Sequence, residues 1–191
     1  MVNLIHQIEA CTFCVPHLEL GPRPVVSFSK HSKIMIIGQA PGTKVHKSGI
    51  PWDDASGKQL RKWLGLDESS FYNQDNFGIM PMGFCYPGKG KSGDLPPRKD
   101  CAELWHQKIW DVCSEVELTL LIGQYAQKYY LGSEYKSNLT ETVRNFHSYL
   151  PKYLPLPHPS PRNRFWLQKN PWFEEDVLDY LKKRCKQILN E

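Results

Sequence analysis

In KIMIIGQAPGTKVHKSGIPW (residues 33–52) an apolar run gives way to a loop holding three glycines, two prolines, a histidine and a closing tryptophan. Residues 33–37 read as a buried strand. Glycine behind a strand suggests a phosphate cradle, but the spacing denies one. A Walker loop needs Gly, four residues, then Gly-Lys-Ser/Thr. Here Lys47-Ser48 follows His46 rather than a glycine, and Gly57-Lys58 is followed by Gln59. A dinucleotide fingerprint fails too, because Pro41 and Pro51 leave no place for a helix to start inside the loop. The glycines instead let backbone approach a flat ligand, with Trp52 as a face on which a ring can stack. A core tryptophan under a tight turn is the competing reading.

Outward from this loop, short apolar runs alternate with amphipathic stretches. Strands are expected at residues 33–37, 77–82, 117–122 and 153–156, although prolines weaken the last. Helices are expected at residues 56–64, 98–112, 124–131, 140–146 and 172–189. This alternation predicts an α/β layer architecture around a four-stranded parallel sheet. Ligands of such sheets sit outside the carboxyl ends of the strands. The loops at residues 38–52, 83–97 and 158–163 all follow strands and are expected to meet at one edge.

The chain has 191 residues, 40% hydrophobic and 23% charged, which fits one soluble globular domain. It has no run of about eighteen apolar residues, so no membrane span is expected. The start, MVNLIHQIEACTFC, lacks the basic opening and long apolar run of a signal peptide, and the expected location is cytoplasmic. A net charge of +4 permits a polyanionic partner without demanding one. Six cysteines in such a compartment are not a disulfide framework.

Four short motifs occur in order. GQAPG with SGIPW, followed by Ser56-Gly57-Lys58-Gln59-Leu60, resembles the first motif of the uracil-DNA glycosylase superfamily. LLIGQYAQKYYL at 120–131 looks like its strand-glycine-helix segment, and HPSPRN at 158–163 like its His-Pro-Ser loop. CTFCVPH and GPRPVV, within residues 11–26, resemble the amino terminus of its iron–sulfur branch, family 4. The resemblance implies a single domain over residues 1–191, a three-layer αβα sandwich with the cysteine-bearing segment 1–32 packed on it. It implies a monomeric DNA repair enzyme. Such an enzyme flips a deaminated base, uracil or a relative such as hypoxanthine, out of double- or single-stranded DNA and hydrolyses its N-glycosidic bond.

The resemblance also implies roles. His158 would donate to the base as negative charge develops on it, with Gln39 and His46 as further catalytic candidates. Gly38, Ala40, Gly42, Trp52 and Pro81 would form the base pocket, Trp52 standing where the family stacks an aromatic ring. Ser160 would shape its loop against a phosphate, and Arg162 and Asn163 stand where the family inserts a wedge into the base stack. Lys89 and Lys91, in the stretch YPGKGKSGDLPPRK, suit phosphate contact; a solvated flexible loop is the competing reading. Two positions depart from the family. Ala40 replaces the acid of the better-known uracil enzymes, leaving His46, Asp53 and Asp54 as the polar substitutes nearby. Pro81 takes the place of the asparagine that reads the uracil edge, and it has no donor.

Cys11, Cys14, Cys85 and Cys101, spaced C-x2-C and C-x15-C, resemble the ligands of the [4Fe–4S] cluster in the iron–sulfur branch. Zinc would accept the same thiolates, and empty thiols also stay open. Cys113 and Cys185 read as core thiols. A catalytically silent iron–sulfur nucleic-acid-binding or damage-sensing module is the alternative function, and a redox sensor built on the cluster is a third.

Overall fold

The structure, a computed structural model, describes residues 2–190. Its strands are β1 (Ile34–Ile37), β2 (Phe77–Ile79), β3 (Lys89–Gly90), β4 (Gly93–Asp94), β5 (Leu118–Ile122) and β6 (Tyr153–Leu156). Four of them form a parallel sheet in the order β2-β1-β5-β6, and β3 and β4 pair as a small antiparallel hairpin. The helices are α1 (Val2–Glu9), α2 (Thr43–Ser48), α3 (Ala55–Leu64), α4 (Glu68–Tyr72), α5 (Gln107–Val112), α6 (Gln124–Leu131), α7 (Leu139–Arg144), α8 (Arg164–Lys169) and α9 (Asp179–Leu189).

Side-chain alternation along the strands splits the core in two. Ile34, Ile36, Leu118, Leu120 and Ile122 face one side, where α3, α4, α7 and α9 bring Leu60, Leu64, Phe71, Val143 and Leu181. Met35, Ile37 and Leu121 face the other, where α1, α5 and α6 bring Ile8, Ile109, Ala126 and Leu131. Helices on both faces of one parallel sheet make the three-layer αβα sandwich. Among the described residues no helix is long and apolar enough to cross a membrane.

Several local expectations change. A helix does form inside the loop after β1. Pro41 lies before α2 and Pro51 beyond it, so neither ring removes an internal hydrogen bond; Gly49 ends the helix at φ 75°, donating its N–H to the Val45 carbonyl at 2.8 Å. β2 stops at Ile79, earlier than expected, yet Met80 and Met82 still donate to the carbonyls of Ile36 and Gly38. Pro81 is thereby held beside the loop after β1. The helix expected from residue 98 begins as a wide π turn, Ala102–His106, that runs into α5. Pro155 is tolerated because β6 is an edge strand. Lys152 and Leu156 accept from Thr119 and Gly123 of the β5 segment, so Pro155 falls on the outward side. Residues 25–27 run along β2: Val25 donates to Phe84 at 2.8 Å, and Ser27 bridges Ile79.

Candidate active site

The loops after β1, β2 and β6 meet at the carboxyl end of the sheet, as its topology dictates. Gly38, Gln39, Ala40 and Gly42, then Trp52, Pro81 and His158, line one pocket. Trp52 is its most constrained wall. Its φ of 58° is the left-handed region, uncommon for a bulky side chain. Two glycines make room for it. A Cβ on Gly57 would collide with the Trp52 carbonyl oxygen and stand 2.6 Å from its carbon. A Cβ on Gly38 would stand 2.9 Å from Cζ2 of the indole. The indole also packs on the core, so Trp52 is at once a core residue and a pocket wall.

The His158 ring centre lies 5.7 Å from that of Trp52, with the planes 35° apart. Burial holds the His158 pKa below the ordinary histidine value, while the Asp54 and Asp94 carboxylates pull it the other way. At neutral pH the ring is therefore uncharged and has one N–H to give. Its loop is braced internally: Asn163 donates from Nδ2 to the His158 carbonyl at 2.7 Å, and the Ser160 hydroxyl accepts from the Arg162 N–H at 3.2 Å.

Asp54 is the sole carboxylate among the described lining residues. It caps α3, its Oδ1 accepting the Gly57 N–H at 2.8 Å, so the side chain is fixed at the pocket rim. His46 does not join the pocket. Because α2 forms, Val45 turns to the pocket and His46 turns away, buried 6.1 Å from the Tyr86 ring, where burial lowers its pKa. The Pro81 carbonyl is engaged from behind. His106 Nε2 donates to it at 3.1 Å, which fixes the proton on Nε2 and makes Nδ1 the acceptor for the Tyr130 hydroxyl at 2.7 Å. Burial pushes the His106 pKa down to about 4.

The pocket opens from a wider groove. Lys89, Lys91, Ser160 and Arg162 line that groove with Asp94, and it shares Gln39, Asp54 and His158 with the pocket. Gln39 reaches towards the hairpin, its Nε2 lying 3.5 Å from the Leu95 carbonyl. The hairpin that carries Lys89 and Asp94 was legible only in the glycines on either side of Lys91-Ser92. Asp94 and His106 escaped sequence reading altogether, because their importance is purely spatial.

On the far side of residues 22–25, Cys11, Cys14, Cys85 and Cys101 line a second pocket with Arg98 and Trp105. The Phe84 N–H points to Cys101 Sγ at 3.4 Å, and hydrogen bonds from the Arg23 backbone and the Arg98 side chain favour the thiolates of Cys85 and Cys14. Burial outweighs these donors and pushes the Cys85 thiol up to about 11 and Cys101 up to about 12. Among the described residues no three His, Cys, Asp or Glu side chains form a group that could hold a single metal ion. Cys113 and Cys185 are buried in the two cores.

A solution NMR structure from Methanosarcina acetivorans, provisionally described as a uracil DNA glycosylase, is similar at 15% identity and a TM-score of 0.46, over 82% of this chain and 95% of that one. Residues 26–182, which carry the sheet, the groove and all of the pocket's lining but Val25, match the family model of the uracil DNA glycosylase superfamily, and the chain belongs to that superfamily.

Proposed function

We propose that this protein is a DNA N-glycosylase that excises a deaminated base, uracil or a relative such as hypoxanthine. The observation that carries the reading is the meeting of Trp52, His158 and Asp54 in one pocket on the floor of a groove lined by Lys89, Lys91 and Arg162. A flipped base lies against Trp52, where only its two glycine neighbours leave it space. As the bond from the sugar C1′ to the base nitrogen breaks, its electron pair leaves with the base. The neutral His158 ring donates its N–H to that developing charge. Asp54 holds the attacking water, whose oxygen bonds to C1′ as its proton passes to the Asp54 carboxylate. The carboxylate missing at Ala40 is thus supplied from the cap of α3.

We read the cysteine pocket as the seat of a [4Fe–4S] cluster; what supports this is that four cysteines line it and that hydrogen-bond donors reach three of their sulfurs. Bound there, a cluster supplies a cross-link between the amino-terminal segment and the loop after β2. Residues 22–25 carry that link to the base pocket, since Pro22 and Pro24 line the one and Val25 the other.

The test is base release from uracil- and hypoxanthine-containing oligonucleotides, single- and double-stranded, at excess enzyme. Free base with an alkali-labile abasic site is the expected result; no release from any deaminated base sinks the catalytic claim. Pro81, which presents no donor and whose carbonyl is taken by His106, favours a second reading, a damage-binding module without catalysis. Tight binding to damaged DNA without release would identify that module.

A further inference from the structure

We infer that the indole N–H of Trp105 donates a hydrogen bond to a sulfur of the group held by Cys11, Cys14, Cys85 and Cys101. This rests on the [4Fe–4S] reading of that pocket. Trp105 lines the pocket with all four cysteines, and its Nε1 is buried with no hydrogen-bond partner. An indole nitrogen can only donate, and a buried donor without an acceptor is costly enough to be rare in folded proteins. The Trp63 Nε1 is also buried and unpartnered, but it lies in the core against Phe173. Trp105 differs in lining a cavity that four cysteines line with it, beside Leu18, Pro22, Pro24, Phe84 and Arg98.

Two further features fit. Trp105 stands in the π turn Ala102–His106, directly after Cys101. Wide turns of this kind gather at functional sites, and here consecutive residues serve different neighbours: Trp105 the cysteine pocket, His106 the Pro81 carbonyl. The Lys108 ammonium lies 4.5 Å from the centre of the Trp105 ring. A cation over the ring draws electron density from it and strengthens the N–H as a donor. Hydrogen bonds to cluster sulfurs favour the more electron-rich, reduced form, so this donor raises the reduction potential.

The experiment uses the full chain, reconstituted anaerobically with iron and sulfide. Protein carrying 15N in its tryptophan indoles is reduced and examined by pulsed electron paramagnetic resonance. An indole 15N coupling to the cluster is expected. Trp105→Phe should abolish that coupling and shift the reduction potential to a more negative value. A wild-type cluster with no indole coupling overturns the inference without needing a variant. So does a Trp105→Phe protein with unchanged coupling and potential. If the wild-type chain takes up no iron and sulfide, the cluster reading itself fails, and this inference falls with it; normal uptake without the coupling sinks only the hydrogen bond.

Discussion

Replacing Gly57 by Ala sets two effects against each other, and the sign of the result decides between them. Gly57 lies in the first turn of α3. Helix propensity alone predicts that alanine stabilises such a position by about 1 kcal/mol. The new methyl, however, would meet the Trp52 carbonyl oxygen and stand 2.6 Å from its carbon and 2.8 Å from its Cβ. Two of those three atoms are backbone, so no rotamer relieves the overlap. Overpacking of this kind costs about 1–3 kcal/mol. The backbone it strikes is already held at a positive φ, which leaves little room to yield. With the cost at the upper end, about 2–3 kcal/mol, and the helix gain of about 1 kcal/mol subtracted, the net expectation is a loss of about 1–2 kcal/mol, or roughly 2–8 °C in Tm for a chain of this size. Thermal unfolding followed by circular dichroism measures it. A Tm equal to or above that of the parent refutes the claim that Gly57 fixes the Trp52 turn. Gly38→Ala is the companion. Its Cβ meets only the indole Cζ2, at 2.9 Å, and a side chain can tilt. It should leave Tm nearly unchanged while weakening base binding, as the indole swings into the pocket.

Three other outcomes are expected. His158 should titrate below the usual histidine value by NMR; because Asp54 and Asp94 both raise its pKa, Asp54→Asn and Asp94→Asn should each lower it further, and a rise would contradict the placement of those carboxylates. His106 binds its proton more weakly folded (about 4) than unfolded (6.5), so stability should be full above pH 6.5 and fall by about 3 kcal/mol as pH drops towards 4. Urea midpoints across that range read the loss, and His106→Gln should flatten it. Finally, removing Lys89 and Lys91 together should reduce the salt slope of duplex binding by about 2 and weaken all sequences alike; an unchanged slope would take the hairpin out of the DNA path.

The four strands of the parallel sheet were legible because their apolar runs are largely buried, and the ends of β6 and α6 fall where the pattern puts them. The pocket was legible wherever a loop follows a strand directly, as at Gly38, Trp52 and His158. What the sequence hid was orientation. His46 and Val45 are neighbours in the chain, and only the turn of α2 decides which faces the pocket. Asp54 was visible as a nearby acid, but its fixed position depends on the cap bond to Gly57. Asp94 reaches the site only because a two-residue turn folds the basic stretch into a hairpin. His106 lies 25 residues from the carbonyl it holds, a separation that no local pattern carries.

The bridge between Ser27 and Ile79 has a consequence for the solution behaviour of the molecule. β2 ends the sheet, and the free side of an edge strand is a template on which a second chain can add. Here that side is occupied by the molecule's own residues 25–27. The two prolines just before them, Pro22 and Pro24, belong to the wall of the cysteine pocket. The β2 edge is thus closed by a short segment that follows directly on one wall of the cysteine pocket, and the molecule covers with its own backbone the one side of β2 that another chain could use.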